Sequence, residues 1–230
     1  MIVRDAFLLA GPTASGKSAI AAELARRMGA WILSADSMLV YAGMDIGTAK
    51  PSPDEIAEFH MGGVNVVTPA EEFSAGAWLR AASAWAAKVP AGVPIVIVGG
   101  TGLYFSALLR GLDRAWVKPA PEYPVIRIDR AIVRARIAER LEAMYRGGLE
   151  AERAALKSRY PVFSKTAALA IGYREGDDRG KVFVRTCQLA KRQDTWFRHQ
   201  ATPLYVEPTA EAVRACWQAK GPWRVRFETL

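Results

Sequence analysis

The residues best suited to chemistry are the eight of the segment GPTASGKS, at positions 11–18. Their spacing is that of a phosphate-binding loop, G-x-x-x-x-G-K-S, in which glycines let backbone amides converge on an anion. Lys17 adds a positive charge to such a loop, and the Ser18 hydroxyl can ligate a divalent metal ion. The segment therefore predicts a phosphate site, without deciding whether the phosphate is transferred, hydrolysed or lost as a leaving group.

The strand that would carry a metal-binding acid in a kinase or an ATPase ends differently here. Such enzymes usually place an acidic residue at the end of a hydrophobic strand, where it organises magnesium. The segment PIVIVGGT, at positions 94–101, ends instead in Gly99, Gly100 and Thr101. Two interpretations stay open: these residues present amides and a hydroxyl to the anion, or the glycines merely allow a tight turn into a helix.

The acidic residue best placed for this site is Asp36, which follows the second predicted strand. In a doubly wound sheet, the carboxyl ends of the strands face the crevice that holds the ligand. A carboxylate there can accept a proton from an attacking nucleophile, cap a short helix or orient a magnesium ligand. Ser37, Thr48 and Lys50 belong to the same segment, although a lone lysine is most often a solvated surface charge.

Hydrophobic periodicity alternates between strands and helices, which favours an α/β fold with a parallel sheet. The predicted strands cover residues 6–10, 31–34, 64–67, 93–98 and 125–128, with further strands around 203–206 and 223–227. The predicted helices cover residues 17–28, 75–88, 103–110, 131–145, 149–158 and 181–198. Prolines and a loss of periodicity mark residues 113–124 as a linker or surface loop. We expect a single domain over residues 1–230, because 51% of the chain is hydrophobic.

Composition excludes several classes of function. The chain has two cysteines and two histidines, and their spacing fits neither a zinc site nor a redox site. Its apolar stretches are far shorter than the ~20 residues that span a membrane. No signal-peptide pattern is present, so we expect a cytoplasmic protein. The net charge of +8 favours a polyanionic partner.

Basic residues are concentrated in the second half of the sequence, where Trp196 and Phe197 are interspersed among them. They are Arg127, Arg130, Arg134, Arg136, Arg140, Arg185, Lys191, Arg192 and Arg198. Arginine contacts to phosphates and aromatic contacts to exposed bases hold single-stranded regions of RNA. Any single one of these arginines is more often part of a solvated helix face, paired to a nearby glutamate.

Six segments occur in an order that resembles the tRNA dimethylallyltransferases. They are GPTASGKS, SADSMLVYAGMDIGTAKPS, EEFSAGAW, VGGTGLYFSALLRGL, AIGYRE and QLAKRQDTWFRHQ. The similarity is close over residues 6–112 and looser over residues 126–199. The resemblance implies a P-loop NTPase-like parallel sheet flanked by helices, with a reduced helical appendage. It also implies transfer of a dimethylallyl group from dimethylallyl diphosphate to the exocyclic amine of the adenosine beside the tRNA anticodon.

The resemblance further implies roles for individual residues. Asp36 would be the general base, and Thr101 would attend the bridging oxygen of the donor. The diphosphate-binding residues would be Gly11, Thr13, Ala14, Ser15, Gly16, Lys17, Ser18, Gly100 and Arg185, with Ser18 as the ligand of Mg²⁺. The adenine and the tRNA anticodon stem-loop would contact Ser37, Met38, Leu39, Thr48, Lys50, Gly172, Tyr173, Arg174, Lys191 and Arg192.

Two features depart from the family pattern. Cys187 stands where family members usually have an arginine, and Arg185 is the neighbour expected to replace it. Eleven residues, 114–124, span a gap that in the family holds a helical insertion around the anticodon arm. We therefore predict a shortened member in which residues 113–160, approximately, are a reduced remnant of the RNA clamp. No obligate protein partner is indicated, and a monomer is expected.

Three other functions remain compatible with the sequence. The first is an adenylate isopentenyltransferase that acts on free AMP, the second a small-molecule kinase with a P-loop, and the third an inactive RNA-binding remnant. A free nucleotide does not require so basic a surface, which favours tRNA as the acceptor.

Overall fold

A mostly parallel sheet of six strands forms the centre of the computed structural model, which describes residues 2–114 and 120–227. The strands are β1 (Ile2–Ala10), β2 (Trp31–Ser34), β3 (Ile95–Gly99), β4 (Glu122–Ile126), β5 (Thr202–Val206) and β6 (Trp223–Phe227). The helices are α1 (Lys17–Met28), α2 (Pro53–Glu58), α3 (Ala75–Ala86), α4 (Gly102–Arg110), α5 (Arg130–Arg146), α6 (Leu149–Arg159), α7 (Arg179–Gln200) and α8 (Ala210–Lys220). This architecture confirms the predicted α/β class.

The strand order β2-β3-β1-β4-β5 brings the functional segments to one edge of the sheet. All neighbours in this order are parallel, and β6 adds an antiparallel strand beside the first half of β1. The carboxyl ends of β1, β2 and β3 therefore lie side by side. The phosphate-loop segment follows β1, Asp36 follows β2, and Gly100 and Thr101 follow β3.

Both faces of the sheet are covered by helices, because successive strand residues bury their side chains on opposite sides. Leu8 belongs to the hydrophobic cluster that includes Trp78 of α3 and Phe105 of α4. The neighbouring Leu9 belongs to the cluster that includes Leu24 of α1 and Trp217 of α8. This two-sided burial explains why the central strands are continuous apolar runs.

A third hydrophobic cluster fixes the helices of the second half against the phosphate-loop segment. Val133, Ile137 and Leu141 of α5 pack with Val182 and Ala190 of α7, and Ala14 of the loop belongs to the same cluster. The helical repeat places the three α5 residues on one side of the helix. The loop is thus held from outside by α5 and α7 as well as by the strand and helix that flank it.

The structure corrects one predicted strand and adds two helices. Residues 64–67 form no strand, and only isolated bridges join Leu33 to Gly62 and Tyr41 to Val67. Gly63 and Asn65 have φ angles of +75° and +51°, which an extended ladder cannot accommodate. The unpredicted helices are α2, which begins with a capping box from Ser52, and α8, which is capped by Thr209.

Part of the predicted loop 113–124 lies outside the described residues, since residues 115–119 are not described. Within residues 2–114 and 120–227, no helix combines the length and apolarity needed to cross a bilayer.

Candidate functional site

The phosphate-binding segment forms a turn between β1 and α1. The Gly11 amide donates a hydrogen bond to the Gly99 carbonyl at 3.3 Å, which joins the loop to the end of β3. Gly16, at the entry to α1, has a φ of +89°, a left-handed conformation that glycine adopts without strain. The Lys17 ammonium donates to the Pro12 carbonyl at 3.3 Å. Ser18 is exposed in the first turn of α1, where helix amides favour an anion.

Asp36 and Thr101 are brought together by the adjacent ends of β2 and β3. The Thr101 amide donates to the Ala35 carbonyl at 3.1 Å. The Thr101 hydroxyl oxygen accepts the Ser37 amide at 3.0 Å, and Asp36 Oδ1 accepts the Met38 amide at 2.9 Å. These bonds hold both side chains in the crevice. They also leave the Thr101 hydroxyl hydrogen available to donate.

Two cavities meet at this pair of strand ends. One has a volume of about 420 Å³, and we call it the apolar cavity because Leu103, Ile137, Leu141 and Trp196 contribute to its wall. The other has a volume of about 360 Å³ and is lined by the phosphate loop, so we call it the loop cavity. In the part of the chain that the structure describes, four residues line both cavities: Thr13, Asp36, Thr48 and Arg140. Asp36 therefore stands at the boundary between a phosphate site and an apolar space.

Two arginines of α5 reach the phosphate loop. Arg140 Nη1 lies 3.4 Å from Thr13 Oγ1, and Arg136 Nη1 donates to the Ser15 carbonyl at 3.3 Å. Burial lowers the pKa of Lys17 to about 8, with Asp36 opposing this shift and Arg140 adding to it. Burial also lowers the pKa of Arg140, again opposed by Asp36. Two cations of the loop region, Lys17 and Arg140, thus lie near the carboxylate of Asp36, an arrangement that favours a bound anion.

Gln193 of α7 connects the two glycine turns. Its Oε1 accepts the Thr13 amide at 2.8 Å, and its Nε2 donates to the Gly100 carbonyl at 3.1 Å. A Cβ on Gly100 would lie 2.3 Å from Gln193 Nε2, so a larger residue there would displace this amide. Gly102 is constrained in the same way by the Trp196 indole, at 1.9 Å. The glycines of β3–α4 therefore serve to dock α7.

The lysine of the segment MDIGTAKP is a structural tie within the first half of the chain. Lys50 Nζ donates to the Tyr41 carbonyl, Asp45 Oδ1 and Asn65 Oδ1 at 2.6, 2.6 and 2.7 Å. Its side chain is only 2% exposed. Since three acceptors already use the three ammonium donors, the position differs from the solvated charge that a lone lysine usually forms.

A glutamate of α6 holds the same segment from the other side. The carboxylate of Glu152 accepts the amides of Asp45, Ile46 and Gly47 at 3.0, 2.8 and 3.2 Å. The Tyr173 hydroxyl donates to Glu152 Oε1 at 2.6 Å and accepts the Gly47 amide at 3.2 Å. Burial, followed by this hydrogen bond, raises the pKa of Tyr173. The segment is thereby fixed as one wall of the crevice.

The predicted site residues divide between the crevice and other places. Ser37, Met38, Thr48, Gly172 and Arg192 line the apolar cavity, whereas Leu39 and Lys50 line the loop cavity. Lys191 lines a third space, the groove between α5 and α7. Arg174 is exposed and lines neither this groove nor the two cavities. Tyr173 is buried behind the MDIGTAKP segment.

Arg185, which is predicted to contact the diphosphate, is paired with a buried glutamate. Its Nε forms an ion pair with Glu175 Oε1 at 3.3 Å, and the Glu175 side chain is 1% exposed. Arg185 lines neither the loop cavity nor the apolar cavity. The cations that accompany the loop come from α5 instead, since the helical repeat places Arg136 and Arg140 on the same side of that helix.

The sequence interpretation assigned no individual site role to three residues: Arg140, Gln193 and Glu152. A sequence signal exists for the first, because Arg136 and Arg140 are four residues apart and must share a helix face. Gln193 is the last residue of the motif QLAKRQ, but no pattern indicates that it bridges two loops. The role of Glu152 depends on a long-range contact that local patterns do not contain.

Two family models match the chain. The IPP transferase model matches residues 39–127 and 114–200, and the isopentenyl transferase model matches residues 4–60. The two parts of the first match overlap at residues 114–127, where the sequence predicts a shortened insertion.

Curated relatives carry the same family name. The tRNA dimethylallyltransferase of Thioalkalivibrio sulfidiphilus is 34% identical over 278 aligned positions, which cover 84% of this chain and 87% of the relative. That of Phenylobacterium zucineum is 48% identical over 139 residues, which cover 60% of this chain and 42% of the relative. A relative from Rhodopseudomonas palustris strain BisA53 is 38% identical over 93% of this chain. The chain thus covers 42% and 60% of the last two relatives, less than two thirds of their length.

Solved structures agree with the fold. The full-length tRNA isopentenylpyrophosphate transferase of Bacillus halodurans superposes with a TM-score of 0.78 at 23% identity, over 94% of this chain and 95% of that one. The corresponding protein of Staphylococcus epidermidis gives 0.77 at 23% identity, over 93% and 98%. The P-loop NTPase-like fold is thereby confirmed. From the family models and the relatives, the chain belongs to the tRNA dimethylallyltransferases, a family of prenyltransferases.

Proposed function

We propose that the chain transfers the dimethylallyl group of dimethylallyl diphosphate to the exocyclic amine of the adenosine beside the tRNA anticodon. The amine nitrogen attacks the allylic carbon, the carbon–oxygen bond breaks, and its electron pair leaves with the diphosphate. The amine proton passes to Asp36. One observation carries this proposal: the carboxylate of Asp36 lies where a phosphate-loop cavity and an apolar cavity meet.

The donor half of the site stabilises the leaving group. Amides of the phosphate loop and the charges of Lys17 and Arg140 surround the place of the diphosphate. The Thr101 hydroxyl oxygen accepts the Ser37 amide, which leaves its hydrogen to donate to the bridging oxygen of the donor. An allylic carbon ionises readily, and catalysis here consists mainly of stabilising the departing charge and aligning the amine.

The acceptor half of the site removes a proton. A free adenine amine is barely basic, and its proton must leave as the new carbon–nitrogen bond forms. Among the described residues, Asp36 has a hydrogen bond only at Oδ1, to the Met38 amide, which leaves Oδ2 for this proton. An adenosine flipped out of the anticodon loop would enter the apolar cavity beside Met38 and Leu103.

The residues around Ser18 fit a magnesium ion that is bound together with a diphosphate. Mg²⁺ uses few protein ligands and completes its shell with phosphate oxygens and water. The exposed Ser18 hydroxyl and Asp36 line the same cavity, whereas no group of three or more His, Cys, Asp or Glu residues could hold a metal within the described ranges. When bound, the ion supplies charge neutralisation to the leaving group. We propose Ser18 as its protein ligand.

The same proposal includes the acceptor RNA and the oligomeric state. We propose that a monomer recognises mainly the anticodon stem-loop, since residues 114–124 leave little chain for contacts farther along the tRNA. Fewer neutralised phosphates give a modest affinity and a shallow salt dependence. The remaining predicted contacts, including Arg174 and Arg192, would serve this RNA.

The test compares specificity constants for whole tRNA, an isolated anticodon stem-loop and AMP, with labelled dimethylallyl diphosphate at two salt concentrations. We expect transfer to both RNAs, with the stem-loop approaching whole tRNA. If AMP equals or exceeds the RNAs, the acceptor is a free nucleotide. A large excess for whole tRNA contradicts the shortened clamp, and a donor that is never consumed contradicts prenyl transfer.

A further inference from the structure

A third space, separate from the crevice, opens between α5 and α7 beside the ends of β4 and β5. Its volume is about 810 Å³. Among the described residues, it shares no lining residue with the loop cavity and only Ile137 with the apolar cavity. Ile126, Val133 and Ala190 are among its apolar lining residues. We call it the basic groove because its other lining residues include Arg127, Arg130, Arg134, Lys191 and Arg198.

The acidic residues of the basic groove neutralise little of this charge. Asp129 caps α5, where its carboxylate accepts the Ala131 amide at 2.7 Å. Asp194 is shared by two exposed arginines, at 3.7 Å from Arg130 and 3.9 Å from Arg198. Exposed ion pairs of this kind contribute about 0–1 kcal/mol, so either arginine can leave Asp194 for another anion with little loss of free energy. Within the described residues, Arg134 and Lys191 have no ion pair.

Aromatic rings hold two of the guanidinium groups. Arg127 lies over the Tyr205 ring at 5.5 Å, and Arg134 lies over the Phe183 ring at 4.6 Å. A guanidinium stacked on a ring keeps its N–H edge free for a phosphate. Tyr205 is 42% exposed and offers part of its ring to a base. The groove thus combines its cations with the aromatic face of Tyr205.

The arrangement fits a polymer better than a free nucleotide. Arg130 and Arg134 are one turn apart on α5, about 6 Å along the axis, and Lys191 and Arg198 are about 10 Å apart along α7. A nucleotide carries its phosphates at one point, whereas a nucleic-acid strand presents a charge about every 3.4 Å of its axis. Two rows of cations match a series of phosphates.

We propose that the basic groove binds the phosphodiester backbone of the acceptor RNA, away from the adenosine that is modified. This rests on the proposed function, in which the acceptor is an RNA. The groove supplies affinity and residence time, and the crevice supplies the chemistry. The shortened chain in this way obtains RNA contacts from α5 and α7, without a large helical insertion.

The test uses two charge-matched double variants of the whole chain. Arg134→Gln with Lys191→Gln removes two cations from the groove. Arg214→Gln with Arg226→Gln removes two exposed cations that line none of the three spaces. Dissociation constants for whole tRNA and for the anticodon stem-loop are measured over a series of salt concentrations, and the donor KM is measured in parallel.

We expect the groove pair to weaken RNA binding about tenfold or more at low salt and to reduce the slope of log affinity against log salt by ~1.4–1.8. The control pair should change affinity by less than about threefold through the general field. A third variant, Arg134→Lys with Lys191→Arg, retains both charges and should recover most of the affinity. Its recovery distinguishes lost phosphate contacts from a misfolded groove.

Equal losses in the groove and control pairs would overturn the proposal, as would no loss in either. Failure of the proposed function has a different signature, namely a wild-type protein that transfers no prenyl group to RNA. In that case RNA binding that depends on the groove would still support the groove itself. Conversely, prenylated tRNA with affinities unaffected by the groove pair would leave the function intact and refute the groove.

Discussion

The crevice and the basic groove use charge in opposite ways. At the phosphate loop of the crevice, Lys17 and Arg140 lie near Asp36, and burial lowers the pKa of both cations. The groove has exposed cations at its rim, paired weakly or stacked on aromatic rings. A charge removed from water acts strongly on a neighbouring atom, whereas an exposed charge is screened by salt. Substitutions in the crevice are therefore expected to lower turnover, and substitutions in the basic groove are expected to weaken RNA binding.

The largest expected effect tests whether the chemistry depends on the crevice alone. Asp36→Asn should lower turnover about 100-fold or more, because an amide cannot accept the amine proton. Donor binding and RNA binding should stay near wild type. Single-turnover transfer of labelled prenyl groups measures the rate, and titration calorimetry measures the binding of donor and RNA. Asp54→Asn, which changes an exposed carboxylate of α2, is the control. If Asp36→Asn keeps near wild-type turnover, Asp36 has only a structural role.

The next effect is a pH dependence that only the crevice should show. Lys17 has a pKa of about 8 in the unliganded protein, so it is protonated below that pH and neutral above it. Because the protonated form binds the diphosphate, donor affinity should fall about tenfold between pH 7 and pH 9. Calorimetry of donor binding at these pH values provides the measurement. Lys17→Ala should bind weakly at both values, and a flat wild-type profile would contradict the assignment.

A smaller effect separates the α5 arginine from the α7 arginine. Arg140→Gln should raise the donor KM about fivefold, the size of one charge-assisted hydrogen bond of ~1 kcal/mol. It should also move the midpoint of the pH profile upward, since Arg140 contributes to the lowered pKa of Lys17. Steady-state kinetics across pH tests both expectations. Arg185→Gln, which changes the partner of Glu175, is the matched control. If it raises the donor KM as much as Arg140→Gln does, Arg185 also contacts the diphosphate.

The smallest expected effect on activity concerns the wall of the crevice. Glu152→Gln replaces a carboxylate that accepts three backbone amides and a tyrosine hydroxyl, and an amide can serve only part of these donors. We expect a loss of about 2 kcal/mol in the free energy of unfolding. Turnover should fall only a few-fold. Urea unfolding measures the stability, and Glu142→Gln, on an exposed face of α5, is the control. An unchanged urea midpoint in Glu152→Gln would show that other groups can replace the hydrogen bonds of Glu152.

Much of the fold could be predicted because the relevant signals are local. The phosphate loop follows an apolar strand and opens a helix, and the long helices α5 and α7 have a clear periodicity with caps at Asp129 and Asp178. The predicted strand at residues 64–67 was wrong because left-handed residues stand just before it, at Gly63, and within it, at Asn65. The helix α8 went unpredicted, although Thr209 supplies its cap.

The site could be predicted in part. Lys17 and Ser18 were predicted from the spacing of the phosphate loop, and Asp36 and Thr101 from their positions just after β2 and β3. The structure places all four along the crevice, and their roles stay predictions. The tertiary functions of Lys50 and Tyr173 were not predictable, since their partners are distant in sequence or come from another element. The sequence also did not indicate whether Arg185 or Arg140 lies beside the phosphate loop, because this depends on how α5 and α7 pack against the loop.

The sequence by itself determined the phosphate loop, the α/β class with most of its strands and helices, and the concentration of cations in the second half. These features reside in contiguous residues, whose conformations depend on their neighbours. Only the tertiary structure decided how the cations divide between the loop, the groove and Glu175. Helical periodicity places Arg134 and Arg136 about 200° apart on α5, but it does not say which face meets the loop. That choice was made by the packing of Val133, Ile137 and Ala190 against Ala14, a contact between segments more than a hundred residues apart.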